Sequence, residues 1–421
     1  MGQLKLYNTL TDRQERFTPR GAGSVKFFSC GPSVYRRQHL GNYRTFLFED
    51  VLQKYLEYRG LAVERVINFT DVEDKAVDEA AEKGVDVAVL RRPVEEAFFK
   101  ECALLGIRLP DTIPRASTSV GAAVRLIRRL IERGHAYRHE GEVFFDPLTY
   151  KGFGRLYGLD MRRWPKRKVR FHRDTYPGQR WNLGDFILWH KRRDTPGEVW
   201  WDTEIGEGRP AWNIQDAAMI EKHLGHRIDI HAGGIDNLYR HHDYTRAVME
   251  GAFGGTFCPF WVHGGHLLVD GVKMSKSRNN VTYIDDLLGI GFLPRHIRFF
   301  LLYGPFREPL DMRLSRLEQC AGRLDRIRRR TRALLKAMSG PGAKEERNGA
   351  KPDGAVRTAF EAHMNDNLDY AGAFDAVTEQ LLAAAREDAS GALPSDRRTA
   401  LRAAVAEVDA VFGVLGEDNR A

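Results

Sequence analysis

Lys273-Met274-Ser275-Lys276-Ser277 is the stretch of this chain that says most about its fold. It lies between Val269-Asp270-Gly271-Val272 and Arg278-Asn279-Asn280, a composition typical of a loop. Two lysines among small hydroxyl residues can surround a triphosphate and neutralise the charge that develops as pyrophosphate leaves. A solvated basic loop could have the same composition, so the neighbouring motifs decide the interpretation.

A second motif, His39-Leu40-Gly41-Asn42, stands at the start of a predicted helix. The imidazole of His39 and the amide of Asn42 can donate hydrogen bonds to phosphate oxygens, and Gly41 lets the backbone approach a nucleotide. The N-terminus of the following helix favours an anion. Taken alone, His39 could equally cap the helix or belong to the core. The two motifs are far apart in sequence, so only the fold can bring them together.

The segment around His39 predicts a β-α-β unit. Residues 25–30 and 63–68 have the composition of strands, and residues 42–58 between them carry apolar side chains at helical spacing. So short a crossover predicts a parallel sheet with covering helices. Ligands of such sheets bind beyond the carboxyl ends of the strands, which is where the pattern places Cys30, His39 and Thr70.

Composition limits the classes of function. The chain has 421 residues, of which 43% are hydrophobic, enough for one large core and a smaller domain. Its net charge of +8 suits an anionic partner such as ATP or RNA. The four cysteines are scattered, which argues against a disulfide framework or a zinc ribbon. Without an apolar leader or a run of about eighteen apolar residues, we expect a soluble cytoplasmic protein with no membrane partner, and a monomer.

Three further segments complete the organisation. Residues 227–231 predict a strand that ends before Gly233 and Gly234, where the backbone can approach a ligand. A basic run at 161–173, interleaved with Trp164 and Phe171, is either a solvated insertion or a contact for a phosphate backbone. From about Arg313 the chain is helical, with a linker at 339–354 and helices at 355–386 and 395–415, which together predict a small bundle.

These motifs, with five other segments in the same order, resemble the cysteinyl-tRNA synthetase family of class I aminoacyl-tRNA synthetases. The further segments are Phe28-Ser29-Cys30-Gly31-Pro32-Ser33-Val34-Tyr35, Asn68-Phe69-Thr70-Asp71-Val72-Glu73-Asp74-Lys75, Gly208-Arg209-Pro210-Ala211-Trp212-Asn213-Ile214, Asp229-Ile230-His231-Ala232-Gly233-Gly234-Ile235-Asp236 and Arg307-Glu308-Pro309-Leu310-Asp311. The resemblance implies an α/β fold with a Rossmann-like class I catalytic domain at 1–312, interrupted by a connective insertion at about 110–200. A helical stem and bundle would occupy 313–421, and we expect no separate anticodon-binding domain.

The resemblance also implies which residues handle ATP and magnesium. His39, Asn42, Lys273 and Lys276 would be catalytic. The nucleotide would further contact Gly41, Gly233, Gly234, Asp236, Met274 and Ser275. Magnesium would be held mostly by phosphates and water. Thr70, Trp212 and His231 match residues that hold the amino acid in the family. Ser33 stands where the family usually has threonine and still offers a hydroxyl.

The zinc site of the family is altered in this chain. The family binds the substrate thiolate on a zinc ion held by two cysteines, a histidine and a glutamate. Cys30 and His241 match the first cysteine and the histidine, but Asp216 and Thr245 replace the other two. Asp can ligate zinc and Thr rarely does. We therefore expect zinc to be absent or weakly bound, with a Cys30–Asp216–His241 site as the alternative. Asp216 could instead pair with a cationic substrate or bond locally.

The leading hypothesis is ATP-dependent activation of an amino acid as an aminoacyl adenylate, followed by transfer to an amine of a small molecule or carrier, or to a tRNA 3′ end. The loss of anticodon recognition would resemble the mycothiol-pathway cysteine ligase in architecture. Ordinary cysteine–tRNA ligation is one alternative, and a non-catalytic paralogue that binds RNA or protein is another. The intact phosphate-binding residues His39, Lys273 and Lys276 favour an enzyme.

Overall fold

The computed structural model describes residues 2–171, 183–194, 198–339 and 351–416. Within these ranges the α-helices are α1 (Leu40–Tyr58), α2 (Asp74–Lys83), α3 (Val87–Leu104), α4 (Val120–Glu132), α5 (Trp212–His223), α6 (Asp243–Phe253), α7 (Ile284–Gly289), α8 (Pro294–Leu302), α9 (Leu314–Ser339), α10 (Gly354–Met364), α11 (Tyr370–Ala389) and α12 (Ser395–Phe412). Among the residues described, no helix has both the length and the apolar character needed to cross a bilayer.

The strands of the same ranges form four separate sheets. They are β1 (Lys5–Asn8), β2 (Arg13–Arg16), β3 (Ser24–Ser29), β4 (Ala62–Ile67), β5 (Ala136–His139), β6 (Glu142–Phe145), β7 (Arg170–Phe171), β8 (Asp185–Lys191), β9 (Gly208–Pro210), β10 (Ile230–Gly234), β11 (Phe260–Gly264), β12 (Leu267–Val269), β13 (Val272–Lys273) and β14 (Leu310–Met312).

The central sheet is parallel, in the order β11-β10-β3-β4, which confirms the predicted parallel sheet. Helix α1 joins β3 to β4 and packs on the sheet through buried apolar side chains such as Leu47 and Leu52. A mixed sheet, β5-β6-β8-β7 with β9 paired to β8, occupies most of the predicted insertion. The small sheet β13-β12-β14 supports the lysine-containing loop. The domain limits at 312 and 313 stay a prediction.

The C-terminal helices pack directly on the catalytic sheet's helices. The Arg298 side chain on α8 is 1% exposed, and its Nη2 lies 3.1 Å from Asp50 Oδ2 on α1. Its Nε donates to the carbonyl of Phe412 at the end of α12, at 2.8 Å. One buried guanidinium thus joins three helices that are distant in sequence. One continuous apolar core runs from Leu4 through α1 and α8 to Leu415.

Two predicted elements were wrong in their limits. The single helix predicted at 355–386 is two helices, broken where Asn367 and Leu368 adopt φ of 54° and 56°. The break receives the N-terminal strand, because Lys5 N donates to Asn365 O and Asn367 N donates to Lys5 O, at 2.9 and 3.0 Å. The strand predicted at 227–231 is β10, three residues further on, so both glycines lie inside it.

The basic run is only partly open to a nucleic acid. Residues 172 and 173 lie outside the described ranges. Trp164 is buried against Phe153, with ring centroids 5.2 Å apart, so it is not available for stacking on a base. Lys168 pairs with Asp146 at 2.6 Å. The prediction of aromatic stacking at Trp164 was therefore wrong.

Candidate functional site

Two connected cavities open at the carboxyl ends of β3, β4 and β10. The inner pocket is lined by side chains from all three strand ends and from α5, including Cys30, Thr70, Trp212 and His241. The outer cleft runs from His39 to the loop of Lys273 and Lys276. Residues of both cavities include Ser33, Gln38, Asn42, Thr45, Glu73, Lys75, Gly234 and Asp236. The two sequence motifs therefore meet in one cleft, as predicted.

His39 stands at the N-cap of α1, directly below the outer cleft. Asn42 Oδ1 accepts a hydrogen bond from His39 N at 3.1 Å, which orients the amide of Asn42. A Cβ on Gly41 would lie 3.0 Å from His39 Cε1, so the glycine makes room for the imidazole as well as for a ligand. Burial, with a contribution from Lys276, lowers the pKa of His39 to about 4. The neutral imidazole can still donate one hydrogen bond to an oxyanion.

The lysine-containing loop is held by a residue that we did not single out from the sequence. Asn280 Oδ1 accepts from Ser275 N at 2.8 Å, and its Nδ2 donates to Lys273 O at 3.1 Å. Met274, 2% exposed, anchors the loop in the core below. Lys273 Nζ lies 3.1 Å from Asp236 Oδ2 at the end of β10. The loop is therefore tied to the sheet on the side that faces the cleft.

Lys276 gives the cleft a pH dependence that can be measured. Burial, reinforced by Arg36 and opposed by Glu73, lowers the pKa of Lys276 to about 8, and His39 nearby is neutral above pH 5. The protonated ammonium is the form that binds phosphate. We expect kcat/KM for ATP to fall about tenfold per pH unit above pH 8, because kcat/KM reports the free enzyme.

The measurement is ATP–pyrophosphate exchange between pH 6.5 and 9.5 at saturating amino acid. The variant Lys276→Arg keeps its charge throughout this range, so its profile should be flat apart from the titration of the substrates. A wild-type profile that stays flat to pH 9.5 would contradict the assignment.

The floor of the inner pocket is a cluster of a thiol, an imidazole and a carboxylate. His241 Nε2 lies 3.2 Å from Cys30 Sγ and 2.9 Å from Asp216 Oδ2. Asp216, on α5, is 1% exposed and lies behind Cys30 and His241. Its Oδ1 accepts from Asn68 Nδ2 at 3.0 Å, and Asn68 Oδ1 accepts from Gly31 N at 2.8 Å. Asn68 thus connects the ends of β3 and β4 to α5.

The strained backbone between β10 and α6 aims the histidine of this cluster. Arg240 has φ of 68° and ψ of −65°, a conformation that L-residues rarely adopt and that needs support from the surroundings. The indole of Trp212 stacks at a tilt on His241, with ring centroids 4.7 Å apart. His241 is therefore fixed from both sides, with Nε2 directed at Cys30 and Asp216.

Other predicted residues take different positions around the pocket. The Thr70 backbone pairs with that of Val34, and the Ser33 hydroxyl donates to Glu73, so both line the pocket from one wall. His231 is fully buried between Phe28 and Trp261 and lies beneath the pocket.

The Thr245 hydroxyl donates to His241 O at 2.9 Å, inside α6. Gly233 faces Cys30 and His242 instead of the outer cleft, whereas Gly234 lines that cleft.

Sequence reasoning did not single out Glu73 or Asn237. Glu73 lies in the wall shared by both cavities, and burial raises the pKa of its carboxyl. Asn237 Nδ2 lies 3.5 Å from Cys30 Sγ. Glu73 belongs to a segment matched by the resemblance and Asn237 directly follows another, so their neighbourhood could have been found but not their contacts.

The floor has the donor set of a transition-metal site. Ligand atoms of Cys30, His241 and His242 lie within 4.8 Å of one another, and Asp216 Oδ2 accepts no hydrogen bond from the described residues. Sulfur, nitrogen and carboxylate oxygen are the donors that zinc prefers. The residues present therefore fit such an ion, in spite of the two replacements at Asp216 and Thr245.

Comparison with known proteins gives one consistent result. The sequence model of the family described as "tRNA synthetases class I (C) catalytic domain" matches residues 16–322. The cysteine–tRNA ligase of Solibacter usitatus is 34% identical over 412 residues, covering 98% of this chain and 87% of the relative. The cysteine–tRNA ligase of Brachyspira hyodysenteriae is 37% identical over 328 residues, covering 78% of this chain and 69% of the relative.

Solved structures agree on the fold. Mycobacterium tuberculosis methionyl-tRNA synthetase in complex with methionyl-adenylate superposes with a TM-score of 0.64 at 16% identity, covering 93% of this chain and 92% of that one. The LeuRS of Agrobacterium radiobacter K84 superposes with a TM-score of 0.62 at 12% identity, covering 95% of this chain and 85% of that one. At such identities the likeness supports the α/β class I fold alone.

Proposed function

Because the chain belongs to the cysteinyl-tRNA synthetase family of class I aminoacyl-tRNA synthetases, we propose that it activates a small amino acid with ATP as an aminoacyl adenylate and passes the acyl group to an acceptor. The observation that carries this proposal is the meeting of His39, Lys273 and Lys276 in one cleft that opens onto the inner pocket. The chain is a ligase of the aminoacyl-tRNA synthetase type, and the reaction class needs ATP with magnesium.

The adenylation step follows from where the charges lie. The substrate carboxylate would attack the α-phosphorus of ATP, the bond to the β-phosphate would break, and pyrophosphate would leave with its charge facing Lys273 and Lys276. The neutral imidazole of His39 would donate a hydrogen bond to an oxygen of the α-phosphate in the transition state. Such positioning and electrostatic stabilisation suffice for phosphoryl-type displacement, without covalent chemistry by the protein.

The inner pocket selects the amino acid. Cys30, Trp212 and His241 line it, and Asp216 supports His241 from behind. A metal ion held by Cys30, Asp216 and His241 would supply a Lewis-acidic contact for a sulfur- or oxygen-bearing side chain. Since one thiolate and one carboxylate of the family site are replaced, we propose that discrimination between cysteine and serine is weaker than in the family.

Two kinds of molecule are candidates for the acceptor of the acyl group. The altered pocket floor favours a substrate pair other than cysteine and tRNA, so we propose an amine of a small molecule or carrier. A tRNA 3′ end is the second candidate, and it is favoured by the basic face of α9. That face carries exposed arginines at positions 316, 323, 326, 329, 330 and 332.

The test is ATP–pyrophosphate exchange by the full chain against all proteinogenic amino acids, with cysteine and serine side by side. We expect exchange with one or a few small amino acids. Absence of exchange with every one of them, with and without total tRNA, would overturn the adenylation proposal. The acceptor is then tested by AMP production with the active amino acid, comparing total tRNA with a panel of primary amines. Stimulation by tRNA alone would overturn the amine acceptor.

A further inference from the structure

We propose that His242, through Nε2, completes the metal site of the inner pocket in place of the glutamate that Thr245 replaces. The ligands would be Cys30, His241 and His242, whose ligand atoms lie within 4.8 Å of one another, with Asp216 Oδ2 next to them at 2.9 Å from His241 Nε2. The proposal rests on the proposed function only in taking the inner pocket as the site, and its test measures metal binding and not adenylation. The metal-site proposal and the adenylation proposal can therefore fail independently.

The His242 ring lies close to both Cys30 and His241. His242 is fully buried, and a ligand atom of it lies within 4.8 Å of those of Cys30 and His241. Its Nε2 has no hydrogen-bond partner among the residues that the structure describes. A buried imidazole nitrogen without a partner is costly, and a metal ion would satisfy it.

The backbone of β10 makes room for this ring beside Cys30. A Cβ at position 233 would lie 2.6 Å from His242 Cε1, 3.1 Å from His242 Nε2 and 3.4 Å from Cys30 Cβ. Gly233 in β10 therefore borders the space into which the Nε2 edge of His242 and the side chain of Cys30 both project. A side chain at this position would clash with the His242 ring.

A relay of hydrogen bonds lies behind the His242 ring. His242 Nδ1 lies 2.8 Å from His263 Nε2 in β11, and His263 Nδ1 lies 2.8 Å from Thr9 Oγ1. If Thr9 accepts and His263 Nε2 accepts in turn, His242 carries its proton on Nδ1 and presents a lone pair at Nε2. Metal-ligating histidines commonly use the second nitrogen in this way, which fixes the tautomer and the ring orientation.

Thr245 cannot take the role that a glutamate would have there. Its hydroxyl donates to His241 O at 2.9 Å, and its side chain is 1% exposed within α6. Asp216 Oδ2, by contrast, lies 2.9 Å from His241 Nε2 without accepting a hydrogen bond from any described residue.

The experiment is a cobalt(II) titration of the metal-free full chain, followed by absorption spectroscopy. Cobalt bound to Cys30 gives a thiolate charge-transfer band and d–d bands typical of four ligands. We expect His242→Gln to weaken cobalt binding about 100-fold and to change the d–d bands. The matched control is His296→Gln, because His296 is a buried histidine of α8 whose Nε2 lies 3.1 Å from Asp325 Oδ1 and which lines neither cavity. It should bind cobalt within about threefold of wild type.

Positioning by the relay is tested separately. His263→Asn should retain cobalt but bind it about 10- to 100-fold more weakly, the usual effect of removing a partner behind a ligating histidine. Unchanged affinity and spectrum in His242→Gln would overturn the proposal. If His242→Gln fails to fold by circular dichroism, X-ray absorption of the wild-type zinc form decides. Two imidazoles in the first coordination sphere support the proposal, and one imidazole or none overturns it.

Discussion

Replacement of Lys276 by alanine should slow ATP–pyrophosphate exchange by about 100- to 1,000-fold, the usual cost of removing one preorganised group that stabilises developing charge. Lys276 is half-buried in the outer cleft, next to His39 and Glu73. Its side chain lines the same cleft as His39 and Lys273, where the proposed reaction would release pyrophosphate. The loss should appear in kcat, because the charge develops only in the transition state.

The measurement is exchange at saturating ATP and amino acid, with circular dichroism as a check on folding. Arg278→Ala is the matched control, because Arg278 is an exposed cation of the same loop, two residues away, and lies outside the lining of the cleft. It should change the rate less than threefold. Wild-type exchange in Lys276→Ala would refute the adenylation proposal.

Replacement of Asp216 by asparagine should lower kcat/KM for the amino acid about 100-fold and leave nucleotide binding unchanged. An asparagine side chain has the same shape as aspartate and can still accept the hydrogen bond of Asn68. It carries no negative charge, so His241 Nε2 loses its anionic neighbour. Loss of the charged partner of a buried group costs about 3 kcal/mol, which is roughly a factor of 100.

This effect is measured by varying the amino acid in the exchange assay, with a fluorescent ATP analogue to follow the nucleotide. Asp71→Asn serves as the control, because Asp71 is 4% exposed and accepts hydrogen bonds from Ser117 outside both cavities. We expect Asp71→Asn to lower thermal stability but not kcat/KM for the amino acid. An equal loss in both variants would show that Asp216 acts through stability and not through the pocket.

Part of the site was predictable because it is encoded in short local motifs. His39 and Asn42 interact through the first turn of one helix, and Lys273 and Lys276 belong to one loop. Their meeting was predictable from the parallel sheet, since the carboxyl ends of its strands share one edge. The limits of helices and strands were less predictable. The break between α10 and α11, at residues 365–368, pairs through backbone hydrogen bonds with Lys5, which lies near the opposite end of the chain.

The sequence by itself determined the family, the class I α/β fold, the ATP-binding motifs and the replacement of two zinc-site residues, because each is a property of residues close together in the chain. Only the tertiary structure shows which side chains surround Cys30 and His241. Asn68, directly after β4, bonds to Asp216 on α5, and His242 at the start of α6 is linked through His263 in β11 to Thr9 near the N-terminus. Such contacts depend on the packing of distant elements to within about 1 Å, and periodicity or composition does not encode them.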